Sequence, residues 1–313
     1  MSDTLRGTII YACPDNPNPS GGVRRIYRHV EILTDNGLSA CVLHSQLGFR
    51  VPSLSTQVPV LYRTAAFGFC SGDTLVIPEV MPGLMQETSD LSLARVVIAL
   101  NWGLIYKYLP IGIDWRTYNI HRVIAGGQYD QTFIRETMDL ESVVIASGTD
   151  PYLFCPHYEK LLRIAYMPRK HSLAPAILGA FRARYPEYSD VELVSIANKS
   201  HSEVAEILAR TAIFLCATFP EGLARPPLEA MASGCVVVGF TGRGSGEYMH
   251  HGINCYVAED GDVLGAVRYL AKAVSDWSGS GATNMQRAAR STAMQYDLKT
   301  EESAVLKYWR SFY

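Results

Sequence analysis

The sequence predicts an α/β protein made of two Rossmann-like, doubly wound domains and a C-terminal closing helix. Short apolar runs alternate with longer segments of helical period along most of the chain. The runs are apolar throughout, which is typical of parallel strands covered by helices on both faces. A chain of 313 residues is long enough for two domains of ordinary size. In folds of this class the ligand lies in a cleft at the carboxyl ends of the strands.

The first β/α series occupies the N-terminal half of the chain. A strand at Thr8–Ala12 is followed by a Pro/Asn-rich loop and then by a helix that Gly37 is well placed to end. Further strands are predicted at Ala40–His44, Thr74–Ile77, Arg95–Leu100 and Ser142–Ile145. Segments 46–73 and 110–121 are punctuated by Pro and Gly, and the sequence leaves their structure undecided.

A second β/α series begins near Leu161. Its strands are predicted at 161–167, Glu192–Ile196, Ala212–Ala217 and Cys235–Gly239. Its helices are predicted at His171–Tyr185, Ser202–Arg210 and Pro227–Ser233. Ser200 and Glu203 fit a capping box, so a helix is expected to begin there.

The segment Gly148–Pro156 separates the two series and has turn chemistry. We therefore expect an N-terminal domain over residues 1–155 and a C-terminal domain over residues 156–296. Near the end of the chain, Val305, Tyr308, Trp309 and Phe312 recur at helical spacing. The sequence thus predicts a helix over residues 297–313 that packs back on the N-terminal domain.

Composition and charge exclude several classes of protein. With 28 Lys+Arg and 30 Asp+Glu, the net charge is −2, whereas a nucleic-acid-binding protein is usually much more basic. No stretch approaches the roughly 18–20 apolar residues of a membrane span, and the N-terminus does not resemble a signal peptide. A weak peripheral contact with a membrane surface stays open.

The 7 cysteines are scattered and never spaced C-x-x-C, which favours reduced, buried thiols over zinc ligands. The expected location is the cytoplasm, with the inner face of the membrane left open. No metal site is predicted.

The most informative stretch is Phe219–Gly234, FPEGLARPPLEAMASG. Glu221 and Glu229 are separated by seven residues, and a Pro-Pro pair between them suits a first helical turn. Backbone amides of residues 222–225, with the helix N-terminus, would form a cradle for phosphate. A carboxylate beside such a cradle can accept the two vicinal hydroxyls of a ribose. Taken alone, the two glutamates are better explained as a solvated loop residue and a helix-capping charge.

This stretch resembles the E-x7-E signature of retaining GT-B glycosyltransferases, particularly family 4, whose common form is E-G-F-G-L-P-x-x-E-A-M-A. The resemblance extends upstream through EVAEILARTAIFLCATFPEG and downstream through GCVVVGFTGRGSGEYMHHGINCYVAEDGD. NPSGGVRRIYRHVEILTDNGLSACVLH resembles the family's N-terminal Gly-Gly loop and helix, and IASGTDPYLFCP resembles the motif that ends its first domain. Leu223, Ala224 and Arg225 replace the family's usual aromatic, glycine and aliphatic residues.

The resemblance implies a GT-B fold, two domains facing each other across a cleft, with the nucleotide mainly on the second domain and the acceptor on the first. It implies that Glu229 binds the ribose of a nucleoside diphosphate sugar and that Glu221 faces the transferred sugar. The backbone that would hold the sugar and the diphosphate is that of Gly222, Leu223, Ala224 and Arg225.

A basic pair, Arg169 and Lys170, follows the strand that ends at Met167. Without a metal, stabilising the departing diphosphate is the main demand of this chemistry. Arginine can bind two oxygens as a fork, whereas lysine acts as a point charge. In the family an Arg and a Lys perform this task several residues apart, whereas here they are adjacent. The alternative is a solvated basic turn.

Gly21 and Gly22 lie between the first strand and the first helix, where glycine allows backbone to approach a phosphate. A simple turn explains the pair as well. Because it is neither G-x-G-x-x-G nor a Walker loop, dehydrogenase and P-loop functions lose their main support. The polar residues that follow are predicted as the solvated face of the helix, with an anionic acceptor or a lipid surface as the sharper alternative: Arg24, Arg25, Arg28 and His29.

A second glycine loop contains Gly242, Gly244 and Gly246, and either substrate contact or turn chemistry explains it. Asp260 and Asp262 spell D-x-D, but a helix begins just after them, so N-capping is the better explanation.

The resemblance therefore implies a retaining, metal-independent glycosyltransferase that needs no cofactor and moves a hexosyl or deoxyhexosyl group from a nucleoside diphosphate sugar to an acceptor hydroxyl. The expected acceptor is a glycan or a lipid-linked glycan in bacterial polysaccharide assembly. A nucleotide-sugar epimerase or phosphorylase of the same architecture and a non-catalytic nucleotide-sugar-binding protein remain as alternatives.

Overall fold

The computed structural model describes residues 7–17, 20–51, 54, 57–168, 172–277 and 280–312. The chain divides into two compact units, unit 1 (Met1–Ala146 with Glu301–Tyr313) and unit 2 (Ser147–Thr300). The first boundary lies between Ala146 and Ser147, before the predicted boundary at 155/156, because residues 147–155 contact the rest of unit 2. The amide of Thr149 donates to the carbonyl of Tyr296 at 2.7 Å.

Strands and helices alternate along the described residues. The strands are β1 (Ile9–Ala12), β2 (Ala40–His44), β3 (Val60–Tyr62), β4 (Thr74–Pro78), β5 (Ala94–Ala99), β6 (Val123–Ala125), β7 (Ser142–Val144), β8 (Leu161–Tyr166), β9 (Glu192–Ser195), β10 (Thr211–Cys216), β11 (Val236–Gly239) and β12 (Cys255–Val257). The α-helices are α1 (Gly21–Asp35), α2 (Pro82–Glu87), α3 (Trp102–Tyr108), α4 (Gln128–Met138), α5 (Ala174–Arg184), α6 (His201–Ala209), α7 (Arg225–Ala232), α8 (Val263–Asp276), α9 (Ser280–Ala293) and α10 (Leu298–Phe312).

Unit 1 is built on a parallel sheet of strand order β3-β2-β1-β4-β5-β6-β7. Its central strands are apolar and buried, because helices cover both faces of the sheet. Residues of α1 and α10 join the apolar cluster on one face, and residues of α2, α3 and α4 join the cluster on the other. The strand order reverses between β1 and β4, which is where doubly wound sheets bind ligands.

The C-terminal helix α10 belongs to unit 1. Val305, Leu306 and Trp309 lie in the same apolar cluster as β1 and α1. The indole N–H of Trp309 donates to the hydroxyl of Tyr11 on β1 at 3.1 Å. The helical spacing of these residues thus marks the face of α10 that packs against the core of unit 1.

Unit 2 is built on a second parallel sheet, of order β12-β11-β10-β8-β9. Residues of α5, α8 and α9 join its main apolar cluster. The strand order reverses between β8 and β10, so the two strands at the switch point are neighbours. The predicted capping box is confirmed, since Ser200 and Glu203 bond reciprocally at the start of α6.

The prediction of an α/β fold with two Rossmann-like parallel sheets is confirmed. Within the described part of the chain, no helix combines the length and the apolar composition needed to cross a bilayer.

Candidate active site

An open pocket lies at the carboxyl edge of the unit 2 sheet. It contains about 310 Å³ of empty space, including solvent-exposed volume. It sits at the switch point between β8 and β10, because Met167, which follows β8, and residues of β10 contribute to its wall. The residues that line it are Met167, Phe214, Leu215, Cys216, Ala217, Thr218, Glu221, Ala224, Pro226 and Pro227. The mostly apolar wall with a few polar groups is the usual composition of a small-molecule site.

The loop between β10 and α7, residues 217–224, is held by the glycine loop that follows β11. The amide of Glu221 donates to the carbonyl of Gly242 at 3.0 Å, and the amide of Gly244 donates to the carbonyl of Glu221 at 3.2 Å. A Cβ atom on Gly244 would lie 2.3 Å from the carbonyl carbon of Gly222. The glycine at 244 is thus required by close backbone approach between two loops, a packing reason that is neither substrate contact nor turn chemistry.

Two side chains of the same segment bind the backbone of Ala224. Its amide donates to Ser245 Oγ at 3.0 Å, and its carbonyl accepts from the hydroxyl of Tyr248 at 2.6 Å. Burial raises the pKa of Tyr248 well above its ordinary value, so this hydroxyl keeps its proton. The expectation that all amides of residues 222–225 are unoccupied is therefore wrong at Ala224.

Three neighbouring amides retain donor capacity. Among the described residues, no acceptor is found for the backbone N–H groups of Gly222, Leu223 and Arg225. Arg225 is the first residue of α7, so its amide belongs to the positive end of that helix. A row of donors at a helix start is suited to bind an anion such as a phosphate.

Glu229 lies on α7 and is almost fully buried, with 4% of its surface exposed. Its Oε1 lies 3.2 Å from His201 Nε2 and 3.4 Å from a terminal nitrogen of Arg225. A carboxylate buried this deeply is stable only when its charge is compensated, and the guanidinium of Arg225 supplies that charge. Glu229 is thus a compensated carboxylate on the helix whose first residue is Arg225.

Glu221 lies in the loop after β10 and contributes to the pocket wall. Its backbone pairs with that of Arg243 in an isolated parallel bridge, which fixes the loop at this residue. Of the two glutamates of the motif, Glu229 is thus held through its side chain and Glu221 through its main chain.

Arg169 and Lys170, the predicted diphosphate ligands, lie outside the described residues. The described residues on either side of them are at the pocket: Met167 lines it, and Ser172 pairs with the pocket residue Thr218.

In unit 1, Gly21 and Gly22 form the first residues of α1, and Ser20 caps the helix by accepting the amide of Val23 at 3.3 Å. A Cβ on Gly21 would meet no atom of the described residues within 4 Å. The pair thus begins a helix that follows β1, on the carboxyl side of the unit 1 sheet.

The prediction that the polar residues of α1 form a solvated face is wrong for two of them. Arg25 is 5% exposed and His29 is fully buried. His29 Nδ1 lies 3.1 Å from the hydroxyl of Tyr11 on the sheet beneath. Burial and the neighbouring Arg25 and Arg28 hold the pKa of His29 well below its usual value, so its ring is neutral.

The D-x-D pair binds backbone amides. Asp260 accepts the amides of Gly242 at 2.8 Å and Arg243 at 3.1 Å. Asp262 caps α8 by accepting the amide of Gly265 at 2.8 Å, which confirms N-capping for this residue. Within the described residues, no cluster of three or more His, Cys, Asp or Glu side chains is arranged to hold a metal ion.

Two residues were missed by the motif-based reasoning. His201 follows the capping serine of α6, and nothing in the local sequence shows that it reaches Glu229. Glu79 follows β4 and is 3% exposed, and the amide of Asn101 donates to it at 3.2 Å. Its only signal was an acidic residue directly after an apolar strand, which is also a common turn residue.

Comparison with known proteins agrees with this geometry. Residues 172–276 match the family model described as glycosyl transferases group 1. An α-1,6-glucosyltransferase of Actinobacillus pleuropneumoniae serotype 7 (strain AP76) is 27% identical over 239 residues, covering 74% of this chain and 72% of the relative.

Solved structures share the fold. A glycosyltransferase from Rickettsia africae ESF-5 aligns with a TM-score of 0.73 at 14% identity, covering 98% of both chains. Anabaena HepE in complex with UDP and glucose aligns with a TM-score of 0.73 at 16% identity, covering 97% of this chain and 100% of HepE. The matched family segment contains the pocket loop, α7 and most of the unit 2 sheet. The chain therefore has the GT-B fold and is a glycosyltransferase, and its residues 172–276 match the glycosyl transferases group 1.

Proposed function

We propose that the protein transfers a glucosyl group from UDP-glucose to an acceptor hydroxyl, with retention of configuration and without a metal. The relative from Actinobacillus is named as an α-1,6-glucosyltransferase, and Anabaena HepE has been crystallised with UDP and glucose. UDP-glucose carries an α-linked glucose, so an α-linked product requires retention. We assign the reaction to bacterial glycan assembly.

The donor is assigned to unit 2. This assignment is supported by the amides of Gly222, Leu223 and Arg225, which lie just before and at the start of α7, the helix that carries the buried carboxylate of Glu229. The amides would bind the diphosphate, and Glu229 would accept the ribose hydroxyls. Arg169 and Lys170, between two segments that reach the pocket, would neutralise the leaving group.

The proposed chemistry needs no side-chain nucleophile. The bond between the anomeric carbon and the β-phosphate oxygen breaks, and a bond from that carbon to the acceptor oxygen forms on the same face. The proton of the acceptor hydroxyl passes to the departing β-phosphate, so UDP leaves with it. Glu221 would orient the sugar and stabilise the positive charge that develops on its ring.

Metal independence is supported by the occupation of both acids of the D-x-D pair. Asp260 and Asp262 each accept backbone amides at 2.8 Å, and Asp260 also lies 3.7 Å from the guanidinium of Arg243. Charge on the departing diphosphate would instead be met by the basic pair and by the end of α7.

The acceptor, a glycan or a lipid-linked glycan, is assigned to unit 1 from the sequence resemblance, with Gly21 and Gly22 as its contact. A cytoplasmic location and weak contact with the inner membrane face also stay predictions from the sequence.

A thermal-shift panel of UDP, GDP, dTDP and ADP tests the choice of nucleotide. Selective binding to the native state raises the melting temperature by mass action, so UDP should give the largest shift. A larger shift with any other nucleotide would contradict the assignment of the donor.

Glu221→Ala tests the catalytic assignment. We expect transfer from UDP-glucose to fall about 100-fold, because an electrostatic contact made in the transition state is lost. Glu187→Ala, an exposed acid after α5, serves as the control and should retain full activity. Unchanged transfer and donor hydrolysis in Glu221→Ala would show that this residue is not catalytic. UDP release that depends on an added acceptor separates transfer from epimerase chemistry, and a product that joins glucose to that acceptor separates it from phosphorolysis.

A further inference from the structure

Glu229 is held by two basic side chains that come from different helices. Its side chain is 5% exposed, and its Oε1 lies 3.2 Å from His201 Nε2 and 3.4 Å from Arg225. Arg225 precedes it by one turn on α7, whereas His201 comes from the start of α6. The carboxylate is thus fixed from two directions.

His201 is itself fixed in place. The capping box of Ser200 and Glu203 defines the start of α6, and His201 is its first residue. The fully buried ring of Phe154 meets the imidazole edge-on, with centroids 4.9 Å apart and planes at 65°. A carboxylate oxygen can only accept, so the hydrogen of this contact belongs to His201 Nε2.

Arg225 is the first residue of α7 and lies one turn before Glu229. Its side chain is 25% exposed and lies over the carboxylate. Arginine is always charged, so it compensates the charge of Glu229, whereas the imidazole contributes a directed hydrogen bond. Arg225 thus supplies the compensating charge, and His201 supplies the hydrogen bond that orients the carboxylate.

We propose that His201 is a positioning residue for nucleotide binding, acting through Glu229. Together with Arg225 it holds the carboxylate in the one orientation that meets the vicinal hydroxyls of the ribose. This inference rests on the proposed function, in which Glu229 binds the ribose. Loss of His201 should therefore weaken the binding only of ligands that carry ribose hydroxyls, because His201 acts through the hydrogen bonds that Glu229 makes to those hydroxyls.

The test compares the Kd of UDP with that of 2′,3′-dideoxy-UDP by calorimetry. Wild type should prefer UDP, because the analogue cannot donate to Glu229. His201→Phe keeps a ring against Phe154 but removes the donor, and it should lower the preference about tenfold. The Kd of the dideoxy analogue should stay within about twofold of wild type.

Two further variants separate position from packing. His201→Gln retains an N–H donor without the ring, and it should restore part of the preference. Lys199→Ala removes an exposed cation that pairs with Glu203 beside the same helix start, and it should leave the preference unchanged. Equal weakening of both ligands by His201→Phe, or no change in either, would overturn the inference.

A double-mutant cycle with Glu229→Ala distinguishes this inference from the proposed function. If His201 acts through Glu229, His201→Phe should have no further effect on the preference in a Glu229→Ala background. A preference that survives Glu229→Ala would refute the ribose assignment itself. A preference that collapses in Glu229→Ala but not in His201→Phe would refute only the role of His201. Absence of UDP binding by wild type would refute both.

Discussion

The carboxyl sides of the two parallel sheets carry similar residues, glycines and a buried glutamate, but the surroundings of these residues differ. Unit 1 has a glycine pair after β1 and a buried glutamate, Glu79, after β4. Unit 2 has glycines after β11 and a buried glutamate, Glu229, on the helix that follows β10. Comparing the two edges distinguishes residues that are needed for packing from residues that are suited to bind a ligand.

The glycines differ in what surrounds them. A Cβ on Gly244 would lie 2.3 Å from backbone of the neighbouring loop, whereas a Cβ on Gly21 would meet nothing within 4 Å. Gly244 therefore allows two loops to touch and fixes the binding loop. Within the described residues, nothing near Gly21 would exclude a small side chain.

The glutamates differ in how their burial is compensated. Glu229 lies beside Arg225 and His201, so its negative charge is stabilised. For Glu79, no ion pair is found within the described residues, and burial raises its pKa to about 8. Near neutral pH Glu79 thus tends to keep its proton and stabilises the turn at Asn101, whereas Glu229 is equipped to act as an acceptor.

The largest effect is expected for Gly244→Ala. The added methyl group would overlap the backbone at Gly222, so the binding loop must shift, and stability should fall by about 4 kcal/mol, the high end for a single substitution. Urea unfolding measures this loss. Gly246→Ala is the matched control, because a Cβ there meets no atom within 4 Å. Equal stability of the two variants would show that close backbone approach at Gly244 does not require a glycine.

A smaller, pH-dependent effect is expected for Glu79→Gln. The folded-state pKa of Glu79 is raised from 4.5 to about 8, so the native state retains a proton that the unfolded chain releases. Its contribution to stability therefore falls as the pH rises through this window and levels off above it. Glutamine cannot ionise, so its gain over wild type should grow by about 2 kcal/mol between about pH 5.5 and pH 7.5.

Denaturant unfolding at both pH values measures this difference, and Glu136→Gln, an exposed glutamate on α4, is the control. A difference between wild type and Glu79→Gln that does not vary with pH would show that Glu79 is ionised in the folded protein. UDP binding should not respond, since Glu79 belongs to unit 1.

The smallest effect is expected for Gly21→Ala. Alanine favours a helix over glycine and has room here, so stability should rise by up to about 0.5 kcal/mol. Thermal unfolding measures this gain, and Gly179→Ala, in α5 with open space at its Cβ, controls for helix propensity. Transfer activity that falls while stability rises would favour close approach of substrate at Gly21. Full activity would assign the glycine pair to the turn alone.

Much of the architecture could be predicted because strands and helices leave local periods in the sequence. The strand at Ala40–His44 has the predicted bounds, and the capping box at Ser200 begins α6 as expected. The short strands β3, β6 and β12 and the helices α2, α3, α4 and α9 were not predicted. They are too short or too polar for a clear period, and their packing on the sheet defines them.

Burial was harder to predict than secondary structure. The spacing of α1 predicted that His29 faces solvent, yet it lies against Tyr11, whose hydroxyl accepts a hydrogen bond from the indole N–H of Trp309 on α10. A helix wheel shows which residues share a face. It does not show how many faces of the helix are buried. Helix α10 packs into the same apolar cluster as α1, and no local pattern in the sequence of α1 indicates this contact.

The sequence by itself determined the alternation of strands and helices, the position of the motif around Glu221 and Glu229, and the resemblance that it carries. These are properties of neighbouring residues. Only the tertiary structure decided that His201, 28 residues before Glu229, meets its carboxylate and that Gly244 supports Gly222. The physical reason is that side-chain partners across a sheet edge are chosen by how helices and loops pack, and packing joins residues that the chain keeps apart.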